Sequence, residues 1–389
     1  MAAPSAGDDR RLLFYGERTA SLSLYLDGLP DDLAAQVSVL PPRRLATDFQ
    51  LLATAGLVVF VRGFEAIWRS GLVGALDRVG VPCAWFTDDD LTALRGEQPG
   101  FAFYSEARVQ EFAARMVALI GTTPALCARL ASFHREVLHW PCVLHEQMVV
   151  PPDVRVPIIS RPAMHPLATR LPAMQRSGAS RIAAIGGAFR AEGLRHFVLP
   201  ALDALPDAHL LLAKGLAARV GSARVLPFEP DFARFVSVWR SLEPDILVHP
   251  PARTANLPMK GPGTLLAALY LGAAPIVANE PAFDDLGVAQ GVLRAESSVG
   301  SWRDALLHLA EPDARRGHLA RLLAHARIAW SPDRPRGTVE ALLALAAPCG
   351  QAALARRTAA LALRWQPPAS LIWRTRLQHL GMRLGGRTQ

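Results

Sequence analysis

The chain has 389 residues, long enough for two domains of ordinary size, and its 51% hydrophobic and 20% charged residues are typical of a globular protein. Its formal net charge is +8, but residues 341–389 hold seven arginines and no acidic residue. The rest of the chain therefore has 35 basic against 34 acidic side chains. This near balance removes most of the support for nucleic-acid binding by the protein as a whole, and we expect no nucleic-acid partner.

The spacing of the cysteines and the length of the apolar segments indicate the cellular compartment that we expect for this protein. Cys83, Cys127, Cys142 and Cys349 have no metal-type spacing and are expected to be reduced core thiols of a cytoplasmic protein. No stretch of about 18 uninterrupted apolar residues occurs, so we expect no membrane-spanning helix.

Short apolar runs alternate with helical periodicity along the first half of the chain. Strands are predicted over 12–15, 37–40, 57–61, 82–86 and 137–144. Helices are predicted over 21–26, 66–79, 105–119 and 124–133. This alternation favours a parallel sheet with helices on both faces.

A second alternation follows a proline-rich segment. Strands are predicted over 181–185, 208–213, 225–226, 246–248 and 276–278. Helices are predicted over about 192–205, 231–242, 265–271, 302–310 and 312–330. We therefore expect an N-terminal Rossmann-like domain over 10–146, a linker over 147–180, a C-terminal Rossmann-like domain over 181–345 and a basic helical tail over 346–389.

Residues 245–279 combine a buried strand, a polar loop and a glycine-rich helix start. The strand ends at His249, and the loop contains Asn256 and Lys260. Gly261, Gly263 and Thr264 open the helix, with Thr264 as the predicted cap, and Gly272 ends it. A helix N-terminus offers free N–H groups and a positive dipole end to an anion. The alternatives are a strand-end role for His249 and a loop-capping role for Asn256.

Two further positions suggest anion binding. Lys214 and Lys260 are the only lysines among 42 cationic residues, and each follows a predicted strand. A lysine is a compact point charge that suits phosphate, although chance placement explains two residues equally well. Gly186 and Gly187 form a turn after the first strand of the second half, where Arg190 could clamp a pyrophosphate.

The same region resembles the nucleotide-sugar site of GT-B glycosyltransferases of the retaining, polysaccharide-building kind. The resemblance is strongest over about residues 180–310 and weaker in the first half. In that family a strand ending in Pro is followed by Asn, Lys and a helix ending in G-x-P-V-V-A. The matching residues here are Pro250, Asn256, Lys260, Gly272, Pro275, Ile276 and Val277.

This sequence departs from that family pattern at four positions. The family places a ribose-binding Glu where Ala267 stands and a second Glu where Met259 stands. It also places a basic pair at the positions of Gly187 and Glu192, so Arg190 would be a substitute. These departures bear on the chemistry of the donor site and not on the fold.

The resemblance implies an α/β protein of two Rossmann-like domains facing across a cleft. It implies transfer of a sugar from a nucleotide-diphosphate donor to a glycan, a lipid-linked or a protein acceptor, as in polysaccharide biosynthesis. Lys260 and Arg190 would stabilise the leaving diphosphate. The other donor-binding candidates are Gly186, Gly187, Lys214, His249, Asn256, Gly261, Gly263 and Thr264. Neither a cofactor nor a metal ion is required.

The run Asp88-Asp89-Asp90 follows a predicted strand and offers a different chemistry. An Asp-x-Asp at a strand end can bind Mn²⁺ or Mg²⁺ on a nucleotide diphosphate, because carboxylate oxygens suit these ions. The alternatives are acceptor binding or general-base catalysis, for which Asp89 is the candidate, and a solvated loop or helix cap.

The tail carries its own pattern. Trp373, Leu377, Leu380 and Leu384 recur at helical spacing, with arginines mostly off that face. A basic amphipathic helix over 371–384 can lie on an anionic membrane surface, which would make the protein peripheral on the inner face of the membrane. Packing of this helix against the N-terminal half is the alternative.

Two other functions stay open at this point. One is a sugar-nucleotide epimerase of the same fold. The other is a GT-B-like scaffold that has lost catalysis, which the residues Ala267 and Met259 favour.

Overall fold

The computed structural model describes residues 11–152, 180–216, 223–348 and 350–363, which form two compact units. Unit 1 contains residues 11–17, residues 30–140 and the described residues from 335 onward. Unit 2 contains residues 18–29 and the described residues between 141 and 334. Most of the predicted linker, the tail segment 371–384 and Cys349 lie outside the described residues.

Unit 1 is built on a six-stranded parallel sheet with the strand order β2-β1-β3-β4-β5-β6. Its central strands are buried along nearly their whole length, as expected where helices cover both faces. The strands are β1 Leu12–Tyr15, β2 Val37–Leu40, β3 Leu57–Val61, β4 Cys83–Thr87, β5 Ala118–Gly121 and β6 Val137–His139.

Eight helices lie between β1 and the end of the described N-terminal half. The first belongs to unit 2 and the others to unit 1. They are α1 Ala20–Leu26, α2 Asp31–Ala34, α3 Leu45–Leu52, α4 Glu65–Ser70, α5 Leu72–Arg78, α6 Leu91–Leu94, α7 Glu106–Ala113 and α8 Pro124–Leu130.

Unit 2 is built on a second six-stranded parallel sheet, with the order β12-β11-β10-β7-β8-β9. Two parallel sheets with flanking helices confirm the predicted α/β class. The strands are β7 Arg181–Ala184, β8 His209–Ala213, β9 Arg224–Leu226, β10 Ile246–His249, β11 Ala274–Ala278 and β12 Leu293–Ala295.

The second half has eight α-helices within the described ranges, and a π-helical turn, Leu194–Val198, separates the first two. They are α9 Ala191–Gly193, α10 Leu199–Ala201, α11 Phe232–Arg240, α12 Gly263–Leu271, α13 Val299–Ala310, α14 Pro312–Ala329, α15 Arg336–Leu345 and α16 Gln351–Ala362. Within the described ranges, no helix is long and apolar enough to cross a membrane.

The last two helices return to unit 1. The Ala347 N–H donates to the Gly56 carbonyl at 2.8 Å, and the Thr338 hydroxyl donates to the His139 carbonyl at 2.6 Å. Arg356 donates to the Ala55 carbonyl at 3.2 Å. These bonds attach α15 and α16 to segments placed some 200 to 300 residues earlier in the chain.

Besides the interrupted helix after β7, three predicted helices differ from the observed ones. The helix predicted over 66–79 is divided at Gly71, whose φ of 71° is left-handed and ends α4. The helix predicted over 105–119 ends at Ala113, because the following apolar run forms β5. The predicted cap of α12 is also wrong, since Pro262 occupies the N-cap position and Thr264 lies inside the helix.

The described cysteines agree with core thiols. Cys83 and Cys142 are buried, and burial raises the pKa of each thiol to about 12. Cys127 is half-buried, and burial raises its pKa as well.

Asp48 is a buried acceptor that ties β1 to the start of α3. Its Oδ2 accepts from the Tyr15 hydroxyl at 2.9 Å and from the backbone N–H groups of Arg43 and Arg44 at 2.9 and 3.1 Å. Burial, followed by the nearby Asp48, raises the pKa of Tyr15.

We expect Asp48→Ala to lower the free energy of unfolding by about 2–3 kcal/mol, because it leaves three donors without their acceptor. Urea denaturation measures this loss. Asp77→Ala, at an exposed position of unit 1, should change the stability by less than about 0.5 kcal/mol. Equal losses in the two variants would contradict this role of Asp48.

Candidate functional site

The candidate site lies at the carboxyl edge of the unit 2 sheet. Strands β7, β10 and β11 are adjacent in this sheet, so their carboxyl ends meet at one edge. In open parallel sheets, ligands bind outside this edge. Each of the three strands is followed here by polar or glycine residues that could contact a ligand.

The turn after β7 requires both of its glycines. Gly186 has a φ of 146°, which side chains other than glycine rarely adopt, and a Cβ there would lie 2.8 Å from Arg190 Cδ. A Cβ on Gly187 would overlap with the Phe189 ring. The turn therefore brings exposed backbone to the edge of the sheet and directs the Arg190 side chain inward.

The loop after β8 lies against this turn. A Cβ on Gly215 would be 3.2 Å from the Gly186 carbonyl oxygen and 3.5 Å from the Ala188 nitrogen. Lys214, the residue before it, is exposed. The structure thus brings Lys214 and the Gly186-Gly187 turn, both predicted from sequence, to neighbouring loops.

Arg190 makes a buried ion pair that the sequence did not reveal. Its Nη1 and Nη2 donate to Glu280 Oε1 and Oε2 at 2.8 and 2.9 Å, and Nη1 also donates to the Pro250 carbonyl at 2.5 Å. The Ala252 N–H donates to Glu280 Oε1 at 3.0 Å. Arg190 is 2% exposed and Glu280 is 5% exposed. The guanidinium predicted to clamp a diphosphate is therefore engaged by a carboxylate, and the clamp stays a prediction.

Phe189 lies between the two predicted cations. Arg190 Cζ is 5.5 Å and Lys260 Nζ is 5.8 Å from the centroid of its ring. Both distances are within the range of cation–π attraction. The half-buried Phe189 thus brings Lys260 to the β7 side of the site.

His249 ends β10 as a neutral ring. Burial lowers its pKa well below the usual value, the charges of Arg190 and Lys260 lower it further, and a hydrogen bond to the Ile185 backbone acts in the opposite direction. Nδ1 is 3.2 Å from the Thr264 hydroxyl, and the ring packs edge-on against Phe283. A neutral imidazole that donates to a backbone carbonyl with one nitrogen can accept a hydrogen bond from the Thr264 hydroxyl with the other.

The N-terminus of α12 completes the site. The Leu265 N–H donates back to the Pro262 carbonyl, while the Gly263 and Thr264 N–H groups have no backbone acceptor among the described residues. Gly261, Gly263 and Thr264 are half-buried, whereas residues 265–271 are buried. Two amides and a partial positive charge are therefore available at the same edge as Lys260.

Asn256 is buried inside the loop before α12. It has no exposed surface, its N–H donates to the Thr254 hydroxyl at 3.2 Å, and its carbonyl accepts from Met259 N–H at 3.1 Å. These backbone bonds shape the loop that carries Lys260. A contact between Asn256 and a donor stays a prediction.

Neither position at which the glycosyltransferase family has Glu carries a carboxylate here, and the two positions differ in burial. Ala267 is buried in the middle of α12, and Met259 is half-buried in the preceding loop. Glu280, two residues after the end of β11, brings a carboxylate to the same edge of the sheet. An acidic residue so close to the end of a buried strand was the available sequence signal for it.

Asp89 belongs to unit 1 and not to this group. It is 3% exposed, and its carboxylate accepts from Arg62 at 2.5 Å. Asp88 lies 3.2 Å from the same guanidinium, and Asp90 caps α6 and pairs with Arg129. Arg62 has a left-handed φ of 58°, an unusual conformation for a non-glycine residue. An acceptor or general-base role of Asp89 stays a prediction.

Comparison with solved structures identifies the fold class. The Anabaena protein HepE, in complex with UDP and glucose, matches 86% of this chain and 99% of its own, with a TM-score of 0.53 and 11% identity. A glycosyltransferase from Rickettsia africae and a UDP-forming trehalose-phosphate synthase from Burkholderia vietnamiensis match over the same shares with TM-scores of 0.50, at 9% and 10% identity. No protein-family model and no curated protein sequence matches the chain. The chain thus has the GT-B fold of two Rossmann-like domains, which confirms the fold expected from the resemblance.

Helix α9 approaches the segment after β10 closely at Gly193. A Cβ there would overlap with the Pro251 carbonyl oxygen. We expect Gly193→Ala to lower the free energy of unfolding by about 1–3 kcal/mol, because the backbone must shift. Thermal denaturation measures this change.

Gly300→Ala is the matched control, because a Cβ on this helical glycine meets nothing within 4 Å. Its stability should be unchanged or slightly raised. Equal behaviour of the two glycine variants would contradict the close approach at Gly193.

The neutral state of His249 predicts a pH dependence of stability. Its folded pKa lies below the unfolded value of 6.5, so below that pH the unfolded chain binds a proton that the folded chain does not. Stability should therefore fall with decreasing pH, by about 1.4 kcal/mol per pH unit for this one group.

His249→Gln should show a shallower loss than wild type when urea denaturation is compared between about pH 7.5 and about pH 5.5. His318 and His325 also have pKa values lowered by burial, but they contribute equally to both proteins. Identical slopes for the two proteins would show that His249 is not held neutral.

Proposed function

We propose that the protein is a glycosyltransferase that uses a nucleotide-diphosphate sugar. The observation that carries this proposal is the convergence of Lys260, the N-terminus of α12 and the Gly186-Gly187 turn at one edge of the unit 2 sheet. The GT-B fold supports it, because solved proteins of this fold include one in complex with UDP and glucose.

The chemistry follows from the charge that develops in glycosyl transfer. When the bond between sugar and diphosphate breaks, negative charge grows on the departing diphosphate. Fixed cations and backbone amides aimed at that charge stabilise the transition state. We assign this role to Lys260 and to the N–H groups of Gly263 and Thr264, which need little reorganisation because helix α12 holds them.

The turn at Gly186 and Gly187 would let the donor diphosphate approach the backbone. His249, which is neutral, adds no charge of its own and orients the Thr264 hydroxyl. Lys214 and Asn256 are further donor contacts of this proposal, the first exposed beside the turn and the second within the loop of Lys260.

We propose that the acceptor, a glycan, a lipid-linked or a protein substrate, is bound by unit 1 near Asp89. The support is the ion pair between the buried Asp89 after β4 and the half-buried Arg62, and the left-handed backbone of Arg62 after β3. Non-glycine residues in such a conformation concentrate at functional sites. Peripheral membrane binding through residues 371–384 stays a proposal based on the sequence pattern.

A second candidate is a GT-B scaffold that has lost catalysis. It is favoured by Ala267, whose buried position in α12 offers no carboxylate to a ribose. An active transferase should bind a nucleoside diphosphate and transfer sugar, whereas the scaffold should bind none. An epimerase would isomerise the donor without any acceptor.

We expect Lys260→Ala to weaken binding of a nucleoside diphosphate roughly 10- to 100-fold, because it removes a charge-assisted contact. Calorimetry with UDP, GDP and ADP on the wild type first selects the nucleotide that binds tightest. The variant is then titrated with that nucleotide.

Arg303→Ala, which removes one exposed positive charge elsewhere in unit 2, serves as the control and should leave the affinity within about twofold. Failure of the wild type to bind any of the three nucleotides would reject the proposed function. Equal affinities for wild type and Lys260→Ala would reject the role of Lys260.

A further inference from the structure

We propose that Glu280 sets the charge of the donor site by neutralising Arg190, so that Arg190 is a positioning residue and does not bind the diphosphate. This inference rests on the proposed function. It concerns two residues whose side chains meet across 90 positions of sequence.

The contact between Arg190 and Glu280 is bidentate and buried. A bidentate arginine–carboxylate contact with both partners almost fully buried uses the two terminal nitrogens of the guanidinium. The Pro250 carbonyl accepts a further bond from Nη1. Turning this guanidinium toward a diphosphate would leave Glu280 as a buried anion without its partner, which is strongly unfavourable.

The ion pair joins residues that follow three different strands. Arg190 follows β7, Pro250 and Ala252 follow β10, and Glu280 follows β11. One ion pair with its two backbone bonds thus ties the ends of three adjacent strands. Because Phe189 precedes Arg190 and its ring faces Lys260, fixing Arg190 also fixes the ring beside Lys260.

The charges of Arg190 and Glu280 offset each other at the candidate site. The pair contributes one positive and one negative charge side by side, so it attracts an anion less than an unpaired arginine at the same place would. The attraction for an anion then comes mainly from Lys260 and the amides of α12. Removing either member of the pair should change the affinity for anions in opposite directions.

A double-mutant cycle tests this inference with the nucleoside diphosphate that wild type binds tightest and with the corresponding uncharged nucleoside. Glu280→Gln leaves Arg190 uncompensated and should bind the diphosphate several-fold to roughly tenfold tighter. Arg190→Gln leaves Glu280 uncompensated and should bind it weaker by a similar factor. The double variant, which has lost both charges, should stay within about threefold of wild type.

The uncharged nucleoside separates charge from folding, because its affinity should change less than about twofold in every folded variant. Glu243→Gln is the matched control. Glu243 pairs with Arg181 at 3.0 Å in the same unit, but at the amino ends of β7 and β10. The same change of charge there should leave diphosphate affinity within about twofold.

A double variant as weak as Arg190→Gln alone would overturn the inference, because Arg190 would then be a direct ligand. Loss of nucleoside affinity in parallel with diphosphate affinity would also overturn it in favour of a purely structural role. If a single variant fails to fold, the double variant still decides, since it contains no buried unpaired charge. A wild type that binds no nucleotide would reject the proposed function together with this inference, whereas a flat cycle would reject the inference alone.

Discussion

The buried pair of Arg190 and Glu280 is the interaction on which the arrangement of the candidate site depends. A buried ion pair adds little net stability, because desolvation offsets most of its Coulomb attraction. Its contribution is geometric, since two side chains and two backbone groups hold the ends of β7, β10 and β11 in register. The Gly186-Gly187 turn, the Phe189 ring and the loop before α12 all start from these strand ends. The positions of the groups proposed to bind an anion therefore follow from one contact.

The polar groups of the candidate site differ in charge. Lys260 and the α12 amides can attract an anion, Arg190 and Glu280 offset each other, and His249 is held neutral by burial. Such a division suits an anion that must be bound and then released, because a cluster of uncompensated cations would hold it more tightly. The fold alone does not define this balance, since proteins with the same two-domain architecture share only about a tenth of their residues with this chain.

Local sequence signals predicted those parts of the fold that depend on neighbours in the chain. Gly272 was predicted to end α12 and does so with a left-handed φ of 69°. The apolar runs that became β3, β4, β7, β8 and β10 were found because parallel strands are buried on both faces. The strand β5 was missed because its apolar residues continue the periodicity of α7. The strand β12 was missed because Arg294, at its centre, interrupts the apolar run. Glu280 could not be paired with Arg190 from sequence, because only the strand order brings the ends of β7 and β11 to either side of β10.

The return of α15 and α16 to unit 1 bears on how this protein is made. Strand β3 and the segment around Gly56 are synthesised early, yet the groups that bond to Ala55, Gly56 and His139 are translated only after all of unit 2. Unit 1 therefore stays incomplete until unit 2 has been synthesised, because the surface that α15 and α16 later cover is still open to water. Apart from the α1 segment, unit 2 lies within residues 141–334 and is synthesised before α15 and α16, so it can close first. Biogenesis would then run against the order of the genetic message, with the later Rossmann-like body maturing before the earlier one.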